Sequence, residues 1–152
     1  MQTLIFASAL SLLAVAGEVP TVPAGAVLGL EPGQTTTVRR DPDGPWQVAE
    51  SGQAETPGPA SATQVGQSDS VTFTFRSQPE IGGMMLVVRN RSAQAFTYEA
   101  LIVKGQDRPQ RTSVCVVSPG LVNYESWPYK FERIYFGNLK LVDPKSAPPD
   151  CK

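Results

Sequence analysis

This chain predicts an all-β fold, a single antiparallel β-sandwich, and three observations carry the prediction. Between residues 70 and 142, short runs alternate apolar and polar side chains with the period of two that a half-buried strand requires. Turn signals separate these runs at intervals of about ten residues, the spacing of hairpin-connected strands in a sandwich. The chain holds 13 glycines and 14 prolines against only 18% charged residues, and no helical period runs between the apolar stretches.

The first element is "MQTLIFASALSLLAVAG". Its apolar run from Leu4 to Val15 ends in the small-residue pattern Ala14-Val15-Ala16, so residues 1–16 read as a secretory signal peptide with cleavage before Gly17. The run is too short to span a bilayer comfortably, and no stable membrane span is expected in the mature chain.

Residues 17–69 form the second zone, an N-terminal strand followed by a flexible low-complexity segment. The turn signal "EPGQ" opens the β-branched run "TTTVRR" at residues 35–40, a first strand. The following "DPDGPWQVAESGQAETPGPASATQVGQSDS" is Pro, Gly, Ala, Ser and Gln with scattered acids. Such a stretch buries too little apolar surface to offset its ordering entropy, so it reads as a mobile loop with Trp46 as its one anchor.

Residues 70–152 are the third zone, the sandwich core with a disulfide-clasped tail. "SVTFTFRS" sets Val71, Phe73 and Phe75 against Thr72, Thr74 and Arg76. "MMLVVRN" is apolar on both faces and reads as a central strand. "AFTYEALIVKG" sets Phe96, Tyr98, Ala100 and Ile102 against Thr97 and Glu99. "RTSVCVVS" predicts a strand with Thr112, Val114 and Val116 opposite Ser113, Cys115 and Val117. "YKFERIYF" and "LKLVD" give one or two closing strands around Gly137-Asn138. This pattern is similar, in a generic sense, to exported immunoglobulin-like sandwiches. It lacks their Cys-Trp-Cys order: Trp127 lies between the two cysteines, but Cys151 sits in a Pro-rich tail and not on a strand. That likeness implies nothing about function.

Two cysteines in an exported domain favour one disulfide, Cys115 to Cys151. By the chain-entropy estimate, closing that loop stabilises by about 3.8 kcal/mol. The bond would staple the tail "KSAPPDCK" across the strand containing Cys115.

The chain has no histidine, which removes the commonest general base, the Ser-His and Cys-His nucleophilic arrangements and the usual zinc sites. No phosphate-binding loop occurs, and neither metal nor cofactor is implied. A net charge of -1 with scattered cations is no footprint for nucleic acid. Glu125 and Glu132 are the carboxylates that a hydrolase would use, but nothing fixes their spacing. Asn90-Arg91-Ser92 matches a glycosylation sequon at a predicted turn. Arg89, Arg91, Arg108 and Arg111 flank two turns and form a candidate anion patch if those turns converge.

The densest local feature is the aromatic stretch "NYESWPYKFERIYF". Pro128 biases Trp127 towards extended backbone, which puts Trp127 on a fixed loop. Tyr124, Trp127 and Tyr129 are the candidate binding residues, because exposed aromatic faces stack on sugars or fill a partner's pocket. The sequence therefore favours an exported, non-enzymatic binding, accessory or assembly module of the cell envelope, periplasmic or extracellular, with an envelope protein or a glycan as its partner. A small secreted hydrolase using carboxylates and a purely structural surface component are the competing readings.

Overall fold

The computed structural model describes residues 21–22, 28–54, 69–143 and 145. The predicted signal segment, the part of the predicted loop at residues 55–68, and Cys151 lie outside them. Among the described residues there are ten strands: β1 (Thr21–Val22), β2 (Leu28–Leu30), β3 (Gln34–Arg40), β4 (Trp46–Gln53), β5 (Asp69–Gln78), β6 (Gly83–Asn90), β7 (Ala95–Val103), β8 (Gln110–Thr112), β9 (Val122–Trp127) and β10 (Arg133–Val142). They form two antiparallel sheets, one in the order β1-β4-β3-β5-β6-β9 and the other in the order β2-β10-β7-β8. The all-β sandwich is what the alternation predicted. Its strand order is not that of an immunoglobulin constant domain, because β3 to β6 follow one another within a single sheet.

The inward residues are those the alternation picked. Val71, Phe73 and Phe75 of β5 and Met84, Leu86 and Val88 of β6 meet Phe96, Tyr98, Ala100 and Ile102 of β7 and Ile134 and Phe136 of β10 in one buried core. Phe73 is the hub between the sheets. It stacks on Phe136 at 4.4 Å between ring centroids and meets Phe96 and Tyr98 edge to face. Such pairs contribute about 0.5–1.5 kcal/mol each beyond their buried area.

Three expectations need correction. The stretch predicted as a mobile loop contains β4, which pairs with both β3 and β1. Little of β4 is buried. It is ordered by its backbone ladder and by Trp46, whose ring meets Phe96 edge to face at 5.5 Å and whose Nε1 donates to the Leu139 carbonyl at 3.0 Å. The predicted strand at residues 111–118 is real only as β8 and as an isolated Phe96–Val117 bridge. Between them residues 113–116 belong to no strand, and the Cys115 N–H donates to the Glu125 carboxylate. Trp127, predicted to sit on a fixed loop, is the last residue of strand β9, an edge strand on β6.

The closing strands are one strand with a bulge. Between Gly137 and Lys140, β10 carries one residue more than its β7 partner, and Asn138 takes the left-handed conformation at φ 50°. Asparagine tolerates that backbone better than most residues do. At the other end of the sandwich, β5 turns into β6 through a single 3-10 turn, Pro79–Ile81, closed by Gly82 at φ 64°. Gly83 follows because a Cβ there would lie 2.1 Å from the Trp127 carbonyl oxygen. This close approach fixes where β9 ends and the aromatic loop begins.

Candidate functional site

Strand β9 sorts the aromatic stretch. Asn123, Glu125 and Trp127 oppose the inward Val88, Leu86 and Met84, whereas Tyr124 opposes Val87 on the outer face. Trp127 is 7% exposed and belongs to the core. Its indole N–H donates to the Thr112 hydroxyl at 2.8 Å, which joins β9 to β8 across the two sheets. Tyr124 is 60% exposed and Tyr129 38%. The three predicted binding residues are therefore divided: one packs the interior, and two face solvent from different elements.

After Trp127 the loop turns in again at Phe131, which stacks on Phe75 at 5.2 Å and meets Trp127 edge to face at 5.3 Å. Tyr129, between these two anchors, is held outside, with the Lys104 ammonium 4.4 Å from its ring centroid. Beside the loop lies an open concavity of about 780 Å³ at one end of the sandwich. Met84, Phe131 and Tyr135 supply its apolar wall, and Glu31, Lys130, Glu132 and Arg133 its charged rim. Arg133 pairs with Glu31 and donates to the Tyr135 hydroxyl. Those two contacts, the Tyr135 hydrogen bond first, raise the guanidinium pKa further above its usual value. Glu132 accepts from the Gly105 N–H, which ties the loop to the turn after β7. Gly29 lets the Tyr135 ring lie close over β2, since a Cβ there would come within 2.9 Å of the ring.

Apolar and aromatic walls with a few fixed polar groups are the arrangement that binds a ring-bearing ligand by stacking and orients it by hydrogen bonds. Sequence reasoning missed that Tyr135, Lys130 and Arg133 line one concavity. The signal was present in "YKFER", but alternation alone does not say which end of the sandwich a loop caps.

Glu125 faces the interior edge. One of its carboxylate oxygens accepts from the Cys115 N–H at 2.7 Å and from Asn123 Nδ2 at 2.8 Å. It serves there as the anchor of residues 113–116. Glu132 is exposed on the loop before β10.

Asn90 of the sequon is fully buried. Its amide nitrogen donates to the carbonyls of Gln94 and Val117 at 2.8 and 2.9 Å, and its oxygen accepts from the Ser92 N–H at 3.0 Å. That side chain is a structural clamp and not a glycan acceptor. Arg91 and Arg108 sit beyond opposite ends of β7, so the two turns do not converge, and Arg111 pairs with Glu99 at 2.8 Å.

No protein-family model, no curated protein and no solved structure matches this chain. Among the described residues, no helix is long and apolar enough to cross a membrane.

Proposed function

We propose that the protein is an exported, non-enzymatic binding module of the cell envelope, and that the concavity beside the aromatic loop is its contact surface. The observation that carries this reading is the loop itself. Trp127 and Phe131 are buried as anchors while Tyr129 between them is held out, and the next residue, Lys130, lines a basin walled by Phe131 and Tyr135. A rigid aromatic presented by buried neighbours loses little side-chain freedom when it binds, which is what makes an effective anchor. Ring walls with a rim of both charge signs suit a glycan carrying hydroxyl and charged groups, or the equivalent patch of an envelope protein.

Export is supported by the leader-like start of the sequence, and a Cys115–Cys151 bond is part of the same reading. The bond is supported by the count of two cysteines and by Cys115, which is not a free thiol. The test is a glycan array probed with exported protein, alongside photo-crosslinking from position 130 in intact cells. Array binding, or a cross-link to one envelope protein that position 51 does not give, supports the proposal. Absence of both removes it.

A further inference from the structure

The charges around the basin are not equally available to a ligand. Four charged residues line it: Glu31, Lys130, Glu132 and Arg133. Three of them are already engaged within the chain. Arg133 pairs with Glu31 and donates to the Tyr135 hydroxyl, and Glu132 accepts from the Gly105 N–H. Lys130 is exposed, and among the described residues it has no carboxylate partner. The same is true of Lys104, which lies in the chain between the wall residues Val103 and Gly105. The Lys104 ammonium rests against the Tyr129 ring, 4.4 Å from its centroid. The aromatic loop and the turn after β7 thus bring two lysines without ion pairs to the end of the sandwich that holds the basin.

We propose that the ligand of this basin is a saccharide bearing an anionic group, a carboxylate or a phosphate, whose ring packs on the Phe131 and Tyr135 wall and whose acid group pairs with Lys130. The proposal rests on the reading of the basin as a contact surface and narrows it to one class of ligand. Size favours a small ring-bearing ligand. The basin's volume of about 780 Å³ lies within the range of about 300–1,000 Å³ usual for small-molecule sites. A protein partner covers a broader patch, about 800 Å² a side. Charge favours an acid. A cationic ligand meets carboxylates that already hold Arg133 and the Gly105 N–H, whereas an anion meets an ammonium with all three donors to give. That ammonium is a compact charge on a flexible stem, so carboxylate and phosphate both suit it. Lys104 adds to the positive potential at the entrance, which draws anions in. The Ser77 hydroxyl, also on the wall, is placed for the hydroxyl groups of a sugar.

The test uses two matched pairs of immobilised probes: a galacturonic acid oligosaccharide with its methyl ester, and a phosphorylated mannose oligosaccharide with its unphosphorylated form. Full-length wild type, Lys130→Ala and Lys140→Ala are titrated on each. Lys140 lies towards the other end of β10 from Arg133, so its loss removes the same charge away from the basin. At low salt, wild type is expected to bind at least one acidic probe about tenfold more tightly than its neutral counterpart. The pair that shows the preference says whether the anion is a carboxylate or a phosphate. Lys130→Ala is expected to lose the preference with an unfolding midpoint near wild type, and Lys140→Ala to keep it. Salt at about 0.5 M should shrink it. Equal binding of acidic and neutral forms, or a preference that Lys130→Ala retains, overturns the proposal and leaves the basin as a contact surface. So does a photo-crosslink from position 77 to one envelope protein when none of the probes binds, which makes the partner a protein. Neither probe binding nor cross-link removes the contact surface and the proposal together.

Discussion

The side-chain amide of Asn90 donates to the backbone carbonyl of Val117 at 2.9 Å, and this bond joins the end of β6 in one sheet to the chain that closes the other. Asn90 also donates to Gln94 and accepts from Ser92, so one buried side chain shapes the β6–β7 turn and holds residues 117–118 against it. Replacing it by alanine leaves those carbonyls enclosed without a donor. Asn90→Ala is expected to destabilise by about 2–4 kcal/mol. Urea unfolding of wild type and variant measures this directly, and a loss under about 0.5 kcal/mol would remove the clamp assignment.

Trp46 makes the corresponding tie from β4. Its indole N–H reaches the Leu139 carbonyl in the β10 bulge, a group freed from the β7 ladder by the extra residue. Trp46→Phe keeps most of the packing against Phe96 and loses the hydrogen bond. The expected cost is about 1–3 kcal/mol, with faster amide exchange along β4. Equal exchange in β4 would show that its ladder to β3 orders it unaided.

The Tyr98 hydroxyl is enclosed and has no hydrogen-bond partner among the described residues. Tyr98→Phe therefore removes an unpaid desolvation and is expected to be neutral or stabilising by about 1 kcal/mol. The same burial pushes the phenol well above its usual value, and the Glu125 carboxylate adds to the shift. The folded state thus holds its phenolic proton more tightly than the unfolded chain. The associated stability is complete below the unfolded value of about 10 and falls as pH rises beyond it. Alkaline unfolding should begin above about pH 10, and Tyr98→Phe should move its midpoint upward. An unchanged midpoint would show that Tyr98 does not govern alkaline unfolding.

Glu125 holds residues 113–116 by accepting from the Cys115 amide. Glu125→Ala is expected to cost about 1–3 kcal/mol and to raise exchange at Cys115 and Val116. A chain with unaltered exchange at those two amides would mean that the Trp127–Thr112 bond holds this segment without help from Glu125.

The strands that could be read from the sequence were those whose inward side chains are uniformly apolar. Val71, Phe73 and Phe75 in β5, and Phe96, Tyr98, Ala100 and Ile102 in β7, stand where alternation put them. Strand β9 was missed because two of its three inward residues, Asn123 and Glu125, are polar, so its period did not register as hydrophobic. An inward charge at an edge strand also discourages pairing with another chain. Strand β4 was missed because composition measures burial, and β4 is held by ladder bonds and one tryptophan. The stretch around Cys115 was over-read as strand because β-branched residues favour extension locally, whereas here the Cys115 N–H donates to a carboxylate ten residues away and not to a neighbouring strand. Of the binding candidates, Tyr124 and Tyr129 were legible as aromatics outside a strict pattern. Trp127 was not, because its burial depends on Phe131 and Thr112, which reach it only in three dimensions.

The most direct measurement of the central claim is a comparison of ligand binding by wild type, Tyr129→Ala, Tyr135→Ala and Tyr124→Ala, using a glycan or envelope protein identified by array or cross-linking. The account predicts that Tyr129→Ala and Tyr135→Ala each weaken binding by about 1–2 kcal/mol, roughly five- to thirtyfold, with unfolding midpoints near wild type. Tyr124→Ala, on the outer face of β9, should leave binding unchanged. The reverse pattern, with binding lost only in Tyr124→Ala, would contradict the assignment and move the contact surface to the outer face of the six-stranded sheet.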